Sequence, residues 1–442
     1  LFVKGGYSFT DNTRLSLNLR YFNSSLGFGV TSTPDNDSRI TAGSKILLGP
    51  SLDFKPFGVV SATIGGFYRN VHGVYLDQYS DSTGMQPAIF DVESGDFQID
   101  GRFAAKLFRV NTVTLGFDQL WNTIEFSPMS HRATREPFPG AQSAEKTLTN
   151  TGVYIQDETD LFTFLHIIPA LRLDYHSTYG ASLSPKIGVA ADLYDKLTVR
   201  TSIGKAYRAP SATELYMPEM YFSPVYLRSN PDLQPEYTTS FDAGFALDIP
   251  YGFNWSCDYF NNQLSNLIVL GNLELGLVNK ASHVNVCDAW SWGFENELSW
   301  KKFRWISAKV NYAYTESENE TYKQPMDLVP LHKANLQLDL TKSFRNGLLS
   351  VALDEGFVGE RTGINWRSGS KVNFGLGGVI ELEPHYVTLD DYFRTDLTVS
   401  CTFATHFTIS LSGQNLFNTA IEESFGTLSP GRFAVVKAKV VF

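Results

Sequence analysis

A period of two runs through this chain almost from end to end. In Asp396–Phe403, Leu397, Val399, Cys401 and Phe403 share one face, and Asp396, Thr398, Ser400 and Thr402 the other. Phe407–Gln414 sets Phe407, Ile409 and Leu411 against Thr408, Ser410, Ser412 and Gln414. In the terminal run, Ala434, Val436, Ala438, Val440 and Phe442 oppose Val435, Lys437, Lys439 and Val441. Near the start, Leu15, Leu17, Leu19 and Tyr21 alternate with Arg14, Ser16, Asn18 and Arg20. Successive side chains of a strand point to opposite faces, so each segment has one apolar and one polar face. Two architectures accept such strands: a soluble sandwich with the apolar faces inside, and a membrane barrel with them outside.

Strand length and loop length favour the barrel. Many of the alternating runs exceed ten residues, against about 5–6 in soluble sheets. Tight joins at Thr10-Asp11-Asn12, Arg109-Val110-Asn111, Leu161–Thr163, Asp195-Lys196 and Ile249–Gly252 alternate with long loops at Ser24–Asp37, Gly73–Glu93, Ser127–Lys146 and Glu360–Leu389. Short turns on one side and long loops on the other are the pattern of outer-membrane barrels. No run approaches the ~18–20 apolar residues of a membrane helix, and no helix longer than two turns is predicted. Passage through a bilayer is then made by strands, which satisfy their own backbone there. Aromatic residues reach 14% while charged residues are only 19%, which suits interfacial belts. Trp121, Trp255, Trp290, Trp292, Trp300 and Trp305 fall within or at the ends of strands. The alternation counts to about nineteen strands. Such barrels usually have an even number, so the expectation is one all-β barrel domain over residues 1–442 whose first strands lie outside the sequence.

Other classes are poorly served. The net charge is -10 and there is no basic cluster, which argues against nucleic acid. Cys257, Cys287 and Cys401 have no CxxC spacing; Cys257 and Cys401 fall on apolar faces, and a Cys257–Cys287 bridge is left open. There is no Gly-x-Ser-x-Gly elbow and no zinc-type His pair, and His332 and His385 read as loop residues. The chain opens on Leu1 without the basic and apolar regions of a signal peptide, so it reads as mature, trimmed or incomplete.

Two stretches resemble a known family. Gly204-Lys205-Ala206-Tyr207-Arg208-Ala209-Pro210-Ser211, then Glu214-Leu215-Tyr216, then Asn230-Pro231-Asp232-Leu233-Gln234-Pro235-Glu236, resembles the mid-barrel signature of TonB-dependent outer-membrane receptors. Asn415-Leu416-Phe417-Asn418, followed by Pro430-Gly431-Arg432 and the aromatic terminus Phe442, resembles their closing hairpin. Loop sizes and Thr33-Pro34-Asp35-Asn36-Asp37 are most similar to the cobalamin and colicin-I/siderophore branch. The residue chemistry fits on its own terms. Pro210 ends a strand because it has no N–H for a ladder. Pro231 and Pro235 fix an extended loop. Arg208 stands where Glu214 or Glu236 can pair with it. The plainer interpretation is that these residues shape the barrel rim and touch no ligand.

The resemblance implies a barrel of about 22 strands in a Gram-negative outer membrane, a plug domain inside it, TonB as partner, and uptake of a ferric siderophore or a corrinoid. Plug and first strands are then absent from this sequence. Candidate ligand contacts are the loop residues Tyr216, Met217, Tyr221, Tyr226 and Arg228, with His131, Arg132 and Arg135. The alternative for the aromatic cluster is loop packing. Ser211–Ser229 holds no His, which argues against haem, though His131 leaves it open. No cofactor is required. Asp35 and Asp37, with Asp77, Asp81 and Asp91, are candidates for a structural Ca²⁺, against the alternative of solvated acidic loops. A passive porin, or an outer-membrane enzyme or adhesin, stands as the other class of function.

Overall fold

The computed structural model describes the chain except residues 29–38, 82–83, 109, 139–140, 223–224, 275–278, 286–287, 321–322, 365–385, 405 and 441–442. The side chains of 25–42, 76–87, 220–226 and 270–281 also lie outside the description. Among the described residues, twenty strands form one antiparallel sheet. One of them is the two-residue piece Ser130–His131, so 19 long strands remain, each paired with its neighbours along the chain. The predicted alternation sets the register. Val399 pairs with Leu411 and Leu411 with Val436, while Thr398–Ser412, Ser400–Ser410 and Thr402–Thr408 form a hydroxyl ladder of 2.9, 2.8 and 3.0 Å on the other face. An apolar exterior and a hydrogen-bonded interior follow from one sequence rule.

The exterior is graded by height. Leu298 pairs with Val310, and both side chains remain exposed, 42% and 43%. Aromatic side chains flank this band. Near the tight turns, Phe303 packs against Trp300 and Trp305; nearer the long loops, Trp292 meets Tyr259, Phe294 and Tyr314. The stretch from Trp292 to Phe303 rises roughly 36 Å at about 3.3 Å per residue. A tilt of about 45° projects that to roughly 25 Å, the height of a barrel's lipid-facing band. An apolar surface of this extent belongs in hydrocarbon rather than water.

Several segments depart from the sequence expectation. Gly73–Glu93 is no simple loop: strands Val60–Asp81 and Gly84–Leu107 stay paired out to Asp81 and Gly84, with Tyr75 stacked on Phe90 at 5.1 Å. Ser177–Tyr179 is a three-residue turn at the end where long loops were expected. The loops also build a four-stranded sheet, Met220–Phe222, Val225–Arg228, Asn279–Asn285 and Ile268–Glu274, whose middle pairing is parallel. A five-residue helix, Ala212–Tyr216, and a 3₁₀ turn, Pro250–Gly252, are the helical elements among the described residues. Cys257 and Cys401 are free, and Cys287 lies outside the described residues.

Ion pairs span the inner face where glycine leaves room. Arg172 lies over Gly152 and reaches Asp118 at 2.7 and 3.0 Å and Asp174 at 2.9 and 2.7 Å. A Cβ on Gly152 would come within 2.0 Å of the guanidinium. Arg200 meets Asp258 in the same way over Gly244, at 2.9 and 2.5 Å.

Candidate functional site

The buried core of this molecule sits at the long-loop end of the wall. Phe90, Ile124 and Phe126 from the sheet pack with Met129 and Phe138 of the 127–143 loop, with Ala212 and Leu215 of the short helix, and with Leu233. Phe126, Phe138, Leu215 and Leu233 are at most 2% exposed. The helix exists because Ser211 and Glu214 form a capping box, each side chain bonding the other's backbone N–H. Its apolar side then faces the inner wall.

Arg208 ties this cap to the strands. Its guanidinium donates to Glu236 and to both carboxylate oxygens of Glu214, at 3.1 and 3.3 Å. Glu236 Oε1 accepts the Ile268 N–H at 2.6 Å, which anchors the hairpin of Ile268–Glu274 and Asn279–Asn285. Asn230 donates to the His283 carbonyl at 2.8 Å, and its own backbone N–H donates to the Glu214 carbonyl at 2.9 Å. Asn285 exchanges hydrogen bonds with the Gln234 backbone at 2.8 and 2.9 Å. Tyr207 packs 6.3 Å from Tyr237. The signature from Tyr207 to Glu236, with Ala209, Pro210, Pro231 and Pro235, therefore joins strand, cap and hairpin.

The closing signature is built alike. Asn415, with φ 48°, donates its backbone N–H to Asp396 at 2.8 Å and bonds Thr419 twice. The Leu416 backbone meets Thr395 and Arg432. Asn418 accepts the Arg432 N–H at 2.9 Å, and a Cβ on Gly431 would meet Asn418 at 2.6 Å. Phe417 is 79% exposed. Phe442 lies outside the described residues.

Between cap and wall lies a cavity of about 860 Å³. Charged residues reach it as closed pairs: Arg69 with Asp96, which Asn122 also donates to, and Arg172 with Asp174. Tyr207 donates to Asn150 at 3.2 Å across it. Buried His176 accepts the Thr178 N–H at Nδ1, 3.1 Å, which leaves the ring proton on Nε2. Ala209, Pro210 and Ser211 close one side.

The predicted contact residues separate into groups. His131, 3.9 Å from the Phe138 ring, and Tyr216 and Met217 pack at the apolar cap. Lys146 lies 5.2 Å over the Tyr216 ring. Arg135 pairs with Asp91 at 3.1 Å. Arg132 stands beside His131 in the same loop, and Arg228 ends a strand of the small sheet. Tyr221 and Tyr226 are paired along that sheet's backbone, and their side chains lie outside the description. Asp35 and Asp37, and the side chains of Asp77 and Asp81, are likewise outside it. Among the described residues no cluster of three His, Cys, Asp or Glu is placed to hold a metal. Sequence reasoning missed the cavity residues Arg69, Asp96, Asn122, Asn150, Arg172 and Asp174; only strand register brings them together.

Two titratable groups at the rim give it an expected sensitivity to acid. Burial pushes the Glu214 carboxyl up, but bonds from Arg208 and Ser211 outweigh it and hold the group below its ordinary 4.5. Burial lowers His283 below 6.5, assisted by Arg208 and opposed by Glu214. Both groups bind protons less readily when folded, so each contributes stability at higher pH that is lost on acidification. We expect the 268–285 hairpin to loosen as pH falls below 6.5, and again below 4.5. Hydrogen exchange of its amides, corrected for intrinsic rates, checks this. Glu214→Gln should flatten the lower step and His283→Gln the upper one; unchanged profiles in both would refute the assignment.

A wall of long antiparallel strands, apolar outside, ion-paired inside and capped by loops at one mouth, defines a large membrane β-barrel. Residues 1–416 match the family described as TonB dependent receptor-like, beta-barrel, and the chain belongs to that family, one of receptors rather than enzymes. A probable TonB-dependent siderophore receptor, PirA, of Acinetobacter baumannii is 25% identical over 327 residues, 65% of this chain and 42% of that one. A ferric enterobactin receptor, PirA, of Pseudomonas aeruginosa is 25% identical over 244 residues, 51% of this chain and 32% of that one. The matched stretches thus span less than half of both relatives. The crystal structure of the Acinetobacter baumannii siderophore receptor PirA superposes with a TM-score of 0.75, covering 99% of this chain and 70% of that one at 16% identity, and so shares the fold.

Proposed function

We propose that this chain is the barrel wall of a Gram-negative outer-membrane receptor that binds a ferric siderophore at its outer mouth, for uptake energised through TonB. The observation that carries the proposal is the cavity of about 860 Å³ between the inner wall and residues 209–213, which lead into the cap helix. Its size falls within the roughly 300–1,000 Å³ of small-molecule sites. Membership of the receptor family and relatives named as siderophore receptors support the same choice. The wall performs no bond-making step. Asn122, Asn150, Tyr207 and His176 offer neutral hydrogen-bonding groups, and the paired arginines keep the wall rigid. Tyr221, Tyr226, Arg228 and Arg132 stand in the surrounding loops as further proposed contacts.

The test is uptake. Iron-limited cells carrying the whole gene product should accumulate radiolabelled ferric chelate only when TonB is present. A corrinoid tried in the same cells tests the sequence alternative. TonB-independent leakage of small solutes, with no chelate specificity, would leave the protein a pore.

A further inference from the structure

We infer that the mouth cavity selects a neutral ferric chelate of the trihydroxamate class over a polyanionic tris-catecholate. The inference rests on the siderophore-receptor proposal and narrows its substrate. It is carried by the state of the arginines. Arg69 is closed on Asp96, and Arg172 is shared between Asp118 and Asp174. At the rim, Arg208 is shared between Glu214 and Glu236. Of these groups Arg69, Arg172, Asp96 and Asp174 line the cavity, so its charges balance, and no other Arg or Lys lines it among the described residues. His176 adds no charge while Nδ1 accepts the Thr178 N–H.

Among the described residues that line this space, an anion finds no cation without a carboxylate partner. It also approaches Asp96 and Asp174, 4% exposed each, at close range. Buried like charges repel, and an unpaired charge there keeps its desolvation cost. A neutral chelate meets neither penalty. Iron(III) held by three hydroxamates carries no net charge, whereas three catecholates leave it trianionic. The cavity's remaining groups suit the neutral case. Phe67, Leu120 and Leu148 offer apolar contact. Asn122 and Asn150 offer amides. Specificity built from unmatched charge is repulsion against the wrong ligand as much as attraction to the right one.

The experiment uses the full-length receptor in detergent, titrated with ferrichrome and with ferric enterobactin. Ferrichrome should bind about 100-fold more tightly, with less than about a twofold change over a tenfold rise in salt. In the double variant Asp118→Asn, Asp174→Asn, Arg172 loses its charged partners but keeps amide acceptors. That preference should then narrow by about tenfold or more. The heat-modifiable gel mobility of the barrel shows whether the variant folds, and the wild-type ratio stands as a test without it. Tighter binding of ferric enterobactin overturns the inference and leaves the siderophore proposal standing. Binding of neither chelate removes both.

Discussion

Replacing Leu233 by aspartate should unseat the cap while the barrel wall stays folded. Leu233 is 1% exposed and packs with Leu215, Phe126 and Phe138. Truncating a buried Leu to Ala costs about 2–5 kcal/mol. A carboxylate adds the burial of a charge among side chains that are all apolar. The expected loss therefore sits at or above about 5 kcal/mol, beyond what a five-residue helix can withstand. The damage is local, because the nineteen long strands hold one another through pairings that do not involve the cap. Heat-modifiable gel mobility should thus be unchanged. Protease cleavage in 209–235 should appear, and chelate affinity should fall by about 100-fold or more. Phe126→Ala should act in the same direction at about 3–5 kcal/mol. Chelate binding that survives Leu233→Asp would show that the cap does not define the site.

The wall was legible in the sequence because its rule is local. Leu397, Val399 and Cys401 against Thr398, Ser400 and Thr402 are neighbours in the chain, and period two assigns their faces without knowledge of any partner strand. The pairing of Arg208 with Glu214 and Glu236 was also foreseeable, since the signature places all three at the ends of adjoining segments. The short helix carried a signal that composition hid: Ser211 and Glu214 stand three apart, the spacing of a capping box, in a loop otherwise read for its prolines. The cavity was not legible. Arg172 meets Asp118 across an intervening strand, over Gly152, and that meeting depends on the register of three strands at once. The parallel pairing of Val225–Arg228 with Asn279–Asn285 joins segments some fifty residues apart, which no alternation rule predicts.

Arg208→Ala should release the surface hairpin without opening the barrel. The guanidinium is shared by Glu214, on the cap, and Glu236, at the start of the next long strand. Without it, two largely buried carboxylates face each other, 17% and 11% exposed. Breaking a buried pair costs about 3–5 kcal/mol. The Arg208 side chain is itself 48% exposed, so water replaces part of what is lost and about 2–3 kcal/mol is expected. Glu236 also holds the Ile268 N–H, so a carboxylate that turns outward to water takes the hairpin's anchor with it. Amides of 268–274 and 279–285 should then exchange faster by about 30-fold or more, while those of Tyr237–Ile249 hold. Arg208→Lys keeps a charge but only a point donor, so it should fall between the two. Adding Glu214→Gln to Arg208→Ala relieves the repulsion and should restore part of the protection. That partial rescue separates an electrostatic joint from simple loss of packing, because removing a charge can restore order only where charge was the defect. Unchanged exchange in Arg208→Ala would show that the Asn230 and Asn285 bonds and the pairing with Val225–Arg228 hold the hairpin without the Arg208 joint.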